Sequence, residues 1–372
     1  MILINDLLII MLLGITMIIL YGIRSLIKSM NSFKVIKGFG NKKVTVIIPA
    51  RNEENNIGKL LENLIKVNNK LNKIIIVNDR STDNTEKIVK EFINIDKRIH
   101  LINIRNVSND WVPKSFVLFE GMKYVDFKEA VLFLDADVKG DMQKIVDISS
   151  NIKEGQLYTF LPYFECDNFI SKVSQSFLSA ILLGYFGYDK TVNKKEDYGL
   201  MFGCCWSISP YTYYEIGGHA SVKNDLVEDK NLATRAKQLG VDIIPIDGRN
   251  YIKTKSWNNS NDIKNLLSRI FFDYEKQLSS SYYVYLLALA LFLFFYLPLG
   301  WIPLLILKQY FLFLLFFSAY LIENIFYYLG GLTNKIKLPY SIFYFIPAYY
   351  LITSMINVKN KGVKWKGELY KI

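Results

Sequence analysis

Residues 44–56 read VTVIIPARNEENN, and directly after them Ile57, Leu60, Leu61, Leu64 and Ile65 recur at intervals of three and four. A short run of β-branched residues, a polar stretch and then a 3.6-residue apolar period spell strand, loop and helix. The unit repeats at once: KIIIV (residues 73–77), NDRSTDNT (78–85), then Ile88, Val89 and Phe92 at helical spacing, with Ser81 or Thr82 expected to cap the second helix. Residues 99–104 and 130–134 supply two more strands of the buried type, with a helix over 114–124 between them. Strands alternating with helices over about 43–150 predict an α/β domain whose central sheet is mostly parallel and covered on both faces. Ligands bind beyond the carboxyl ends of strands in such sheets.

Polar clusters sit at those ends. Arg51, Asn52, Glu53 and Glu54 follow the first strand, Asn78 and Asp79 the second, and Asp135-Ala136-Asp137 the fourth. A single carboxylate after a strand is ordinarily a cap or turn residue. Three such clusters after three strands of one sheet converge on one edge. Two carboxylates separated by one residue at a strand end face one oxygen-rich site, which suits Mg²⁺ or Mn²⁺ together with a substrate diphosphate.

The second half of the domain supplies a candidate base. CCWSIS (residues 204–209) reads as a strand and 211–216 as a short helix ending at Gly217-Gly218; a loop over 219–225 leads to Glu228-Asp229 and a helix with Leu232, Ala236 and Leu239 on one face. At a helix start, the dipole and free amides hold carboxylates ionised; plain capping is the other reading. His100 and His219 are the two histidines and form no metal pair: His100 reads as a strand residue, and His219 either touches a ligand or shapes its loop. Trp111 is either a ligand platform or packing.

The 372 residues are 51% hydrophobic and 15% aromatic, and 45 Lys+Arg against 34 Asp+Glu leave a formal charge of +11. Apolar segments make an anionic membrane surface the better partner for that charge than nucleic acid. Residues 7–23 (LLIIMLLGITMIILYGI) form an uncharged run of near-spanning length, followed by Arg24, Lys28, Lys34, Lys37, Lys42 and Lys43. The basic flank predicts an uncleaved anchor with its amino terminus outside and the catalytic domain in the cytoplasm. Further apolar stretches cover 282–307, 309–332 and 338–358. Four crossings would put the tail outside, yet it carries Lys359, Lys361, Lys364, Lys366 and Lys371; the first of the three, broken by Pro298, Gly300 and Pro303, is the expected non-crossing segment. Residues 168–188 read either as a core helix or as an interfacial helix. The expected division is 1–42 anchor and basic linker, 43–280 catalytic domain, 281–358 membrane segments and 359–372 basic tail. Cys166, Cys204 and Cys205 show no zinc or disulfide spacing, which fits a reducing compartment.

Taken together, PARNEE (49–54), VNDRSTDNT (77–85), WVPKS (111–115), LDAD (134–137), GGH (217–219) and VED (227–229) resemble the family 2 inverting glycosyltransferases over roughly residues 44–247. The resemblance implies the GT-A fold. The membrane segments, the Trp-x-x-Lys segment and VKWKGELY (363–370) are most similar to the membrane-bound branch that glycosylates carotenoid acids. Carried over, the resemblance implies that Ala50, Glu53 and Asp79 hold the nucleoside of a UDP-sugar and Asp135 its ribose or the metal. It likewise places Asp137 on the metal, Lys114 near the diphosphate and Asp229 as catalytic base, with Trp111, Gly218, His219 and Glu228 as further contacts. Two departures stand out. The family's glycine after the first aspartate of its DGST turn is Arg80 here, and the Q-x-x-R-W motif of processive synthases falls on LLSRI (266–270), which keeps only Arg269. Single transfer to a membrane-resident lipid or isoprenoid is therefore expected rather than polymerisation, with glucose from UDP-glucose as the sugar. A polyprenyl phosphate, a glycerolipid or an envelope polysaccharide are the other acceptors. A scaffold or sugar sensor would have shed carboxylates, and none is missing.

Overall fold

The computed structural model describes residues 2–36, 40–275, 297–365 and 368–370, and the chain divides into two compact units. One unit comprises residues 32–165 and 190–255; the other comprises 1–31, 166–189 and 256–372.

After α1 (Ile2–Met30), the first unit opens on β1 (Val44–Ala50), buried at every position but Pro49. There follow α2 (Ile57–Leu64), β2 (Leu71–Asp79), α3 (Thr85–Ile95), β3 (Ile99–Ile104), α4 (Pro113–Met122), β4 (Ala130–Leu134), β5 (Lys139–Gly140), α5 (Met142–Ser149), β6 (Gln156–Leu161) and β7 (Tyr163–Glu165). Beyond the residues of the other unit come β8 (Cys205–Ile208), α8 (Pro210–Glu215), α9 (Glu228–Gln238), β9 (Asp242–Asp247) and β10 (Ile252–Lys255). Seven strands pair in the order β3-β2-β1-β4-β8-β6-β9, with β8 antiparallel to both neighbours and the other pairings parallel. A second sheet has the order β5-β10-β7.

The alternation along β1 sorts its side chains between two cores. Val44, Val46 and Ile48 pack with α2 and α5, whereas Ile47 joins Val117, Leu118 and Leu232 beneath α4 and α9. Each such side chain contributes roughly 1.5–3 kcal/mol on burial, and covering both faces is what a parallel sheet requires. The α/β, mostly parallel design read from the sequence is the observed one.

Two local expectations are corrected. The second helix starts at Thr85 behind Asn84, not at Ser81 or Thr82, because Ser81 accepts from the Asn52 amide and the Thr82 amide donates to Asn52 Oδ1. Leu239 is 53% exposed rather than part of the apolar face of α9, since the helix ends at Gln238 and Gly240 turns the chain at φ +82°.

The other unit contains α1, α6 (Phe169–Tyr185), the start of α7 (Tyr188–Val192), α10 (Ser260–Glu275), α11 (Leu297–Ile306), α12 (Tyr310–Thr333) and α13 (Phe345–Lys361), then the β11 (Val363–Trp365)–β12 (Glu368–Tyr370) hairpin. Among the described residues, Asp6–Met30, Phe169–Val192, Tyr310–Thr333 and Tyr340–Val358 are long and apolar enough to cross a membrane. Most of the expected 282–307 stretch lies outside the described residues. Within the unit, Tyr344 and Tyr327 donate to the Glu323 carboxylate at 2.8 and 3.3 Å, so this carboxyl on α12 is paired within its helix cluster.

Candidate active site

The loops after β1 and β2 are laced together. Ala50 pairs with Asn78 across the parallel strands, and the next residue on each strand carries an ionic group. Arg51 Nη1 reaches Asp79 Oδ2 at 3.3 Å while Arg80 Nε donates to Asp79 Oδ1 at 2.8 Å, holding a carboxylate that is only 5% exposed. Arg80 adopts φ +53° and Asn52 φ +57°, the left-handed region that glycine enters without strain. The arginine thus keeps the backbone turn expected of a glycine and adds a guanidinium to Asp79. Glu53 and Glu54 donate their amides to Thr85 Oγ1 (2.8 Å) and Asp83 Oδ2 (3.0 Å), which fixes the β1–α2 loop on the start of α3.

β4 runs parallel to β1 with Ile47 opposite Phe133, so Asp135 emerges at the same edge. Its amide donates to the Cys204 carbonyl at 2.9 Å. Lys114, in the first turn of α4 and preceded by Pro113, places its ammonium 3.3 Å from Asp135 Oδ1 and 3.2 Å from Glu228 Oε1. Burial alone would pull this lysine down, but the carboxylates of Asp135, Glu228 and Asp229 outweigh it and hold the ammonium well above the ordinary lysine range. Lys114 therefore ties the strand-end pair to the start of α9.

Asp137 accepts from the Thr254 hydroxyl at 3.1 Å. Burial first, and then the neighbouring Asp135 carboxylate, push its carboxyl up, against the Thr254 hydrogen bond. Asp229 receives the Gly203 amide on Oδ2 at 2.9 Å and the Lys230 amide on Oδ1 at 2.8 Å. Burial and the Glu228 carboxylate push it up to about 6, with Lys114 and the two amides opposing. A carboxylate held by two backbone amides, poised near neutrality and beside a partly buried cation has the character of a general base.

Lys114, Asp135, Glu228 and Asp229 are thus brought together, with Asp137 beside Asp135. His219, Gly218 and Trp111 each sit in packed surroundings. His219 is 1% exposed, against Phe133 and Trp206, and its amide donates to the Tyr213 hydroxyl at 3.0 Å. That hydroxyl also lies 2.8 Å from His219 Nδ1, a second hydrogen bond whose direction follows the imidazole tautomer. Burial pulls the imidazole down to about 3, so it is neutral. Gly218 has φ +48°, and a Cβ there would meet the Tyr213 ring at 2.3 Å; the Gly-Gly pair admits Tyr213. Trp111 packs on Phe116 and Phe119 with ring centroids at 5.5 and 5.1 Å.

Sequence reading missed Thr254 and Gly203. Thr254 lies on a four-residue strand 117 positions from Asp137, which no local pattern announces. Gly203, just ahead of β8, carried the one available signal, a glycine beside a strand where backbone approaches another group. An open pocket of about 650 Å³ lined by Lys42, Lys43, Lys128, Glu129 and Asn151 lies at the amino-terminal ends of the strands, away from these carboxylates.

Residues 45–213 match the family model described as Glycosyl transferase family 2. A curated relative from Staphylococcus haemolyticus (strain JCSC1435), named 4,4'-diaponeurosporenoate glycosyltransferase, is 23% identical over 225 residues, covering 59% of this chain and 58% of that protein. One of the same name from Staphylococcus aureus (strain USA300) is 26% identical over 194 residues, covering 51% and 50%. The chain spans only about half the length of these relatives, up to the 58% of the first. A solved mannosyltransferase from Pyrobaculum calidifontis, in complex with GDP-Man and Mn²⁺, has a similar fold with a TM-score of 0.55 at 14% identity, over 94% of this chain and 98% of that one. The sheet order, the carboxylate edge and the family match together make residues 45–213 a glycosyl transferase family 2 domain, built on the GT-A fold.

Proposed function

We propose that the chain transfers a sugar, with inversion, from a nucleoside diphosphate sugar to a membrane-resident acceptor. The observation that carries this reading is the Asp135–Lys114–Glu228 bridge, which joins the strand-end carboxylates to a helix start where Asp229 is held by two backbone amides. Asp79 and the loop at Glu53 lie at the same sheet edge and serve the nucleoside, beside Ala50. Lys114 faces the diphosphate as a point charge. Asp135 and Asp137 are hard oxygen donors, and among the described residues no group of three or more His, Cys, Asp or Glu side chains could hold a metal. A two-carboxylate donor set fits Mg²⁺ or Mn²⁺ whose other ligands come from the diphosphate. When bound, the ion stabilises charge on the departing nucleoside diphosphate.

The acceptor oxygen attacks the anomeric carbon from the face opposite the leaving group, forming one C–O bond as the C–O bond to the diphosphate breaks. The relatives' name supports a carotenoid carboxylate, diaponeurosporenoate, as acceptor, and UDP-glucose is the donor proposed with it. The raised Asp229 carboxyl favours a second reading, a lipid hydroxyl, because a hydroxyl must lose its proton during attack and a carboxylate has none to lose. Purified full-length chain, assayed with UDP-glucose with and without Mn²⁺, tests the proposal: turnover should require the ion and vanish in Asp137→Asn. Undiminished, metal-independent turnover in that variant sinks the metal assignment. Comparing Asp229→Asn on a carboxylate and on a hydroxyl acceptor separates the two readings, since only hydroxyl transfer needs the base.

A further inference from the structure

α6 lies between β7 and β8 in the chain, and its last turns leave an apolar stripe partly uncovered. Leu178, Ile181 and Leu182 are half-buried along one side, whereas Phe177, Leu183 and the small residues Ser176, Ser179, Ala180 and Gly184 are buried on the other. The buried side is close-packed, with polar groups paired inside it. Gln175 Nε2 donates to Ser179 Oγ at 2.9 Å, the Ser256 hydroxyl donates to Gln175 Oε1 at 3.1 Å, and a Cβ on Gly330 of α12 would meet the Ser176 carbonyl oxygen at 2.3 Å. In water this arrangement forfeits about 25 cal/mol for each Å² of apolar stripe left exposed. In hydrocarbon it is the ordinary one, with small and hydroxyl residues between helices and apolar residues outside.

Length and apolarity make Phe169–Val192 a candidate span, but the chain's connections exclude a crossing. On the entering side, Tyr163–Glu165 pair with Lys253–Lys255 of β10. On the leaving side, Thr191 Oγ1 accepts from the Leu200 amide and its carbonyl from Lys237 Nζ. Both belong to the same compact unit of residues 32–165 and 190–255. One folded body stands on one side of a bilayer, so a lone helix leaving it and returning to it does not traverse.

We infer that α6 is a membrane helix that does not cross: it lies in the leaflet on the catalytic domain's side and presents Leu178, Ile181 and Leu182 to lipid acyl chains. The partner of this surface is the hydrocarbon of the leaflet nearest the domain. The inference is independent of the sugar chemistry proposed above.

The test uses full-length chain in sealed proteoliposomes. Asp167→Cys and Val192→Cys, at exposed positions flanking the helix, are probed with a membrane-impermeant maleimide, with the unsubstituted chain as background. A nitroxide on Leu182→Cys, and separately on Leu178→Cys, is probed with lipid-soluble oxygen and a water-soluble nickel chelate. Both flanks should label from the same side, and both nitroxides should relax with oxygen and not with nickel. Labelling from opposite sides overturns the non-crossing placement. Relaxation by nickel, or by neither reagent, overturns the lipid contact, the last outcome marking a helix enclosed in protein.

Discussion

The Gly203 amide donates to Asp229 Oδ2 at 2.9 Å, and a Cβ added to Gly203 would meet that same oxygen at 2.8 Å. Absence of a side chain at 203 is therefore part of how the base is placed. Gly203→Ala displaces the carboxylate while leaving the donor-side residues untouched. On a hydroxyl acceptor, kcat should fall by about 100-fold, the size of effect that a displacement near 1 Å produces, with donor KM little changed. Steady-state kinetics on the purified variant check this; a proportional rise in donor KM would instead mark a donor contact.

Lys114 is the cation shared by Asp135 and Glu228. Lys114→Met leaves those carboxylates and Asp229 facing one another without it. Binding of the nucleoside diphosphate should weaken by about tenfold or more, since a charge-assisted contact of roughly 1.5–3 kcal/mol is lost. Lys114→Arg should recover part of it. Titration calorimetry with UDP reads the loss directly, without turnover.

The parts of the site legible in the sequence are those carried by contiguous patterns. The strands β1 and β4 and the centre of β2 are continuous apolar or β-branched runs, so their ends, and with them Asp79 and Asp135, are fixed to within a residue or two. Asp229 is legible because it opens a helix. What was hidden depends on neighbours remote in sequence. Ser81 and Thr82 look like caps until Asn52, some thirty residues earlier, claims them. His219 looks like a loop contact until Tyr213 folds under the Gly-Gly pair and buries it. Residues 168–188 read equally as a core or an interfacial helix, because the partners of Gln175 and Ser176, which are Ser256 and Gly330, are remote in sequence.

Tyr213 and His219 satisfy each other through two hydrogen bonds in a buried setting. Tyr213→Phe removes the partner of both the His219 amide and Nδ1. Leaving such groups unpaired costs about 1–3 kcal/mol each, so thermal stability should drop clearly. Activity per folded molecule at low temperature should stay within a few-fold of the unsubstituted chain. Parallel melting curves and kinetics distinguish this from direct participation of His219, which would depress kcat in protein that is still fully folded.

Asp229 gives the site its expected pH dependence. Its carboxyl is raised to about 6, chiefly by burial and by Glu228. The base form therefore accumulates as pH rises through about 6, and kcat/KM on a hydroxyl acceptor should climb across that window and level off above it. A carboxylate acceptor should show no such limb. Lys114 holds this pKa down, so in Lys114→Met the limb should move to higher pH. Stability runs the other way. A carboxyl whose folded pKa lies above its unfolded value near 3.8 contributes stability below that value and loses it as pH rises through about 6. At pH 7.5 the buried charge is thus a cost to folding, and Asp229→Asn should melt higher than the unsubstituted chain, by roughly 2–4 °C for each kcal/mol relieved. An unchanged or lowered melting temperature in that variant, measured at pH 7.5 and again at pH 5, would show that the Gly203 and Lys230 amides already offset the burial of the charge.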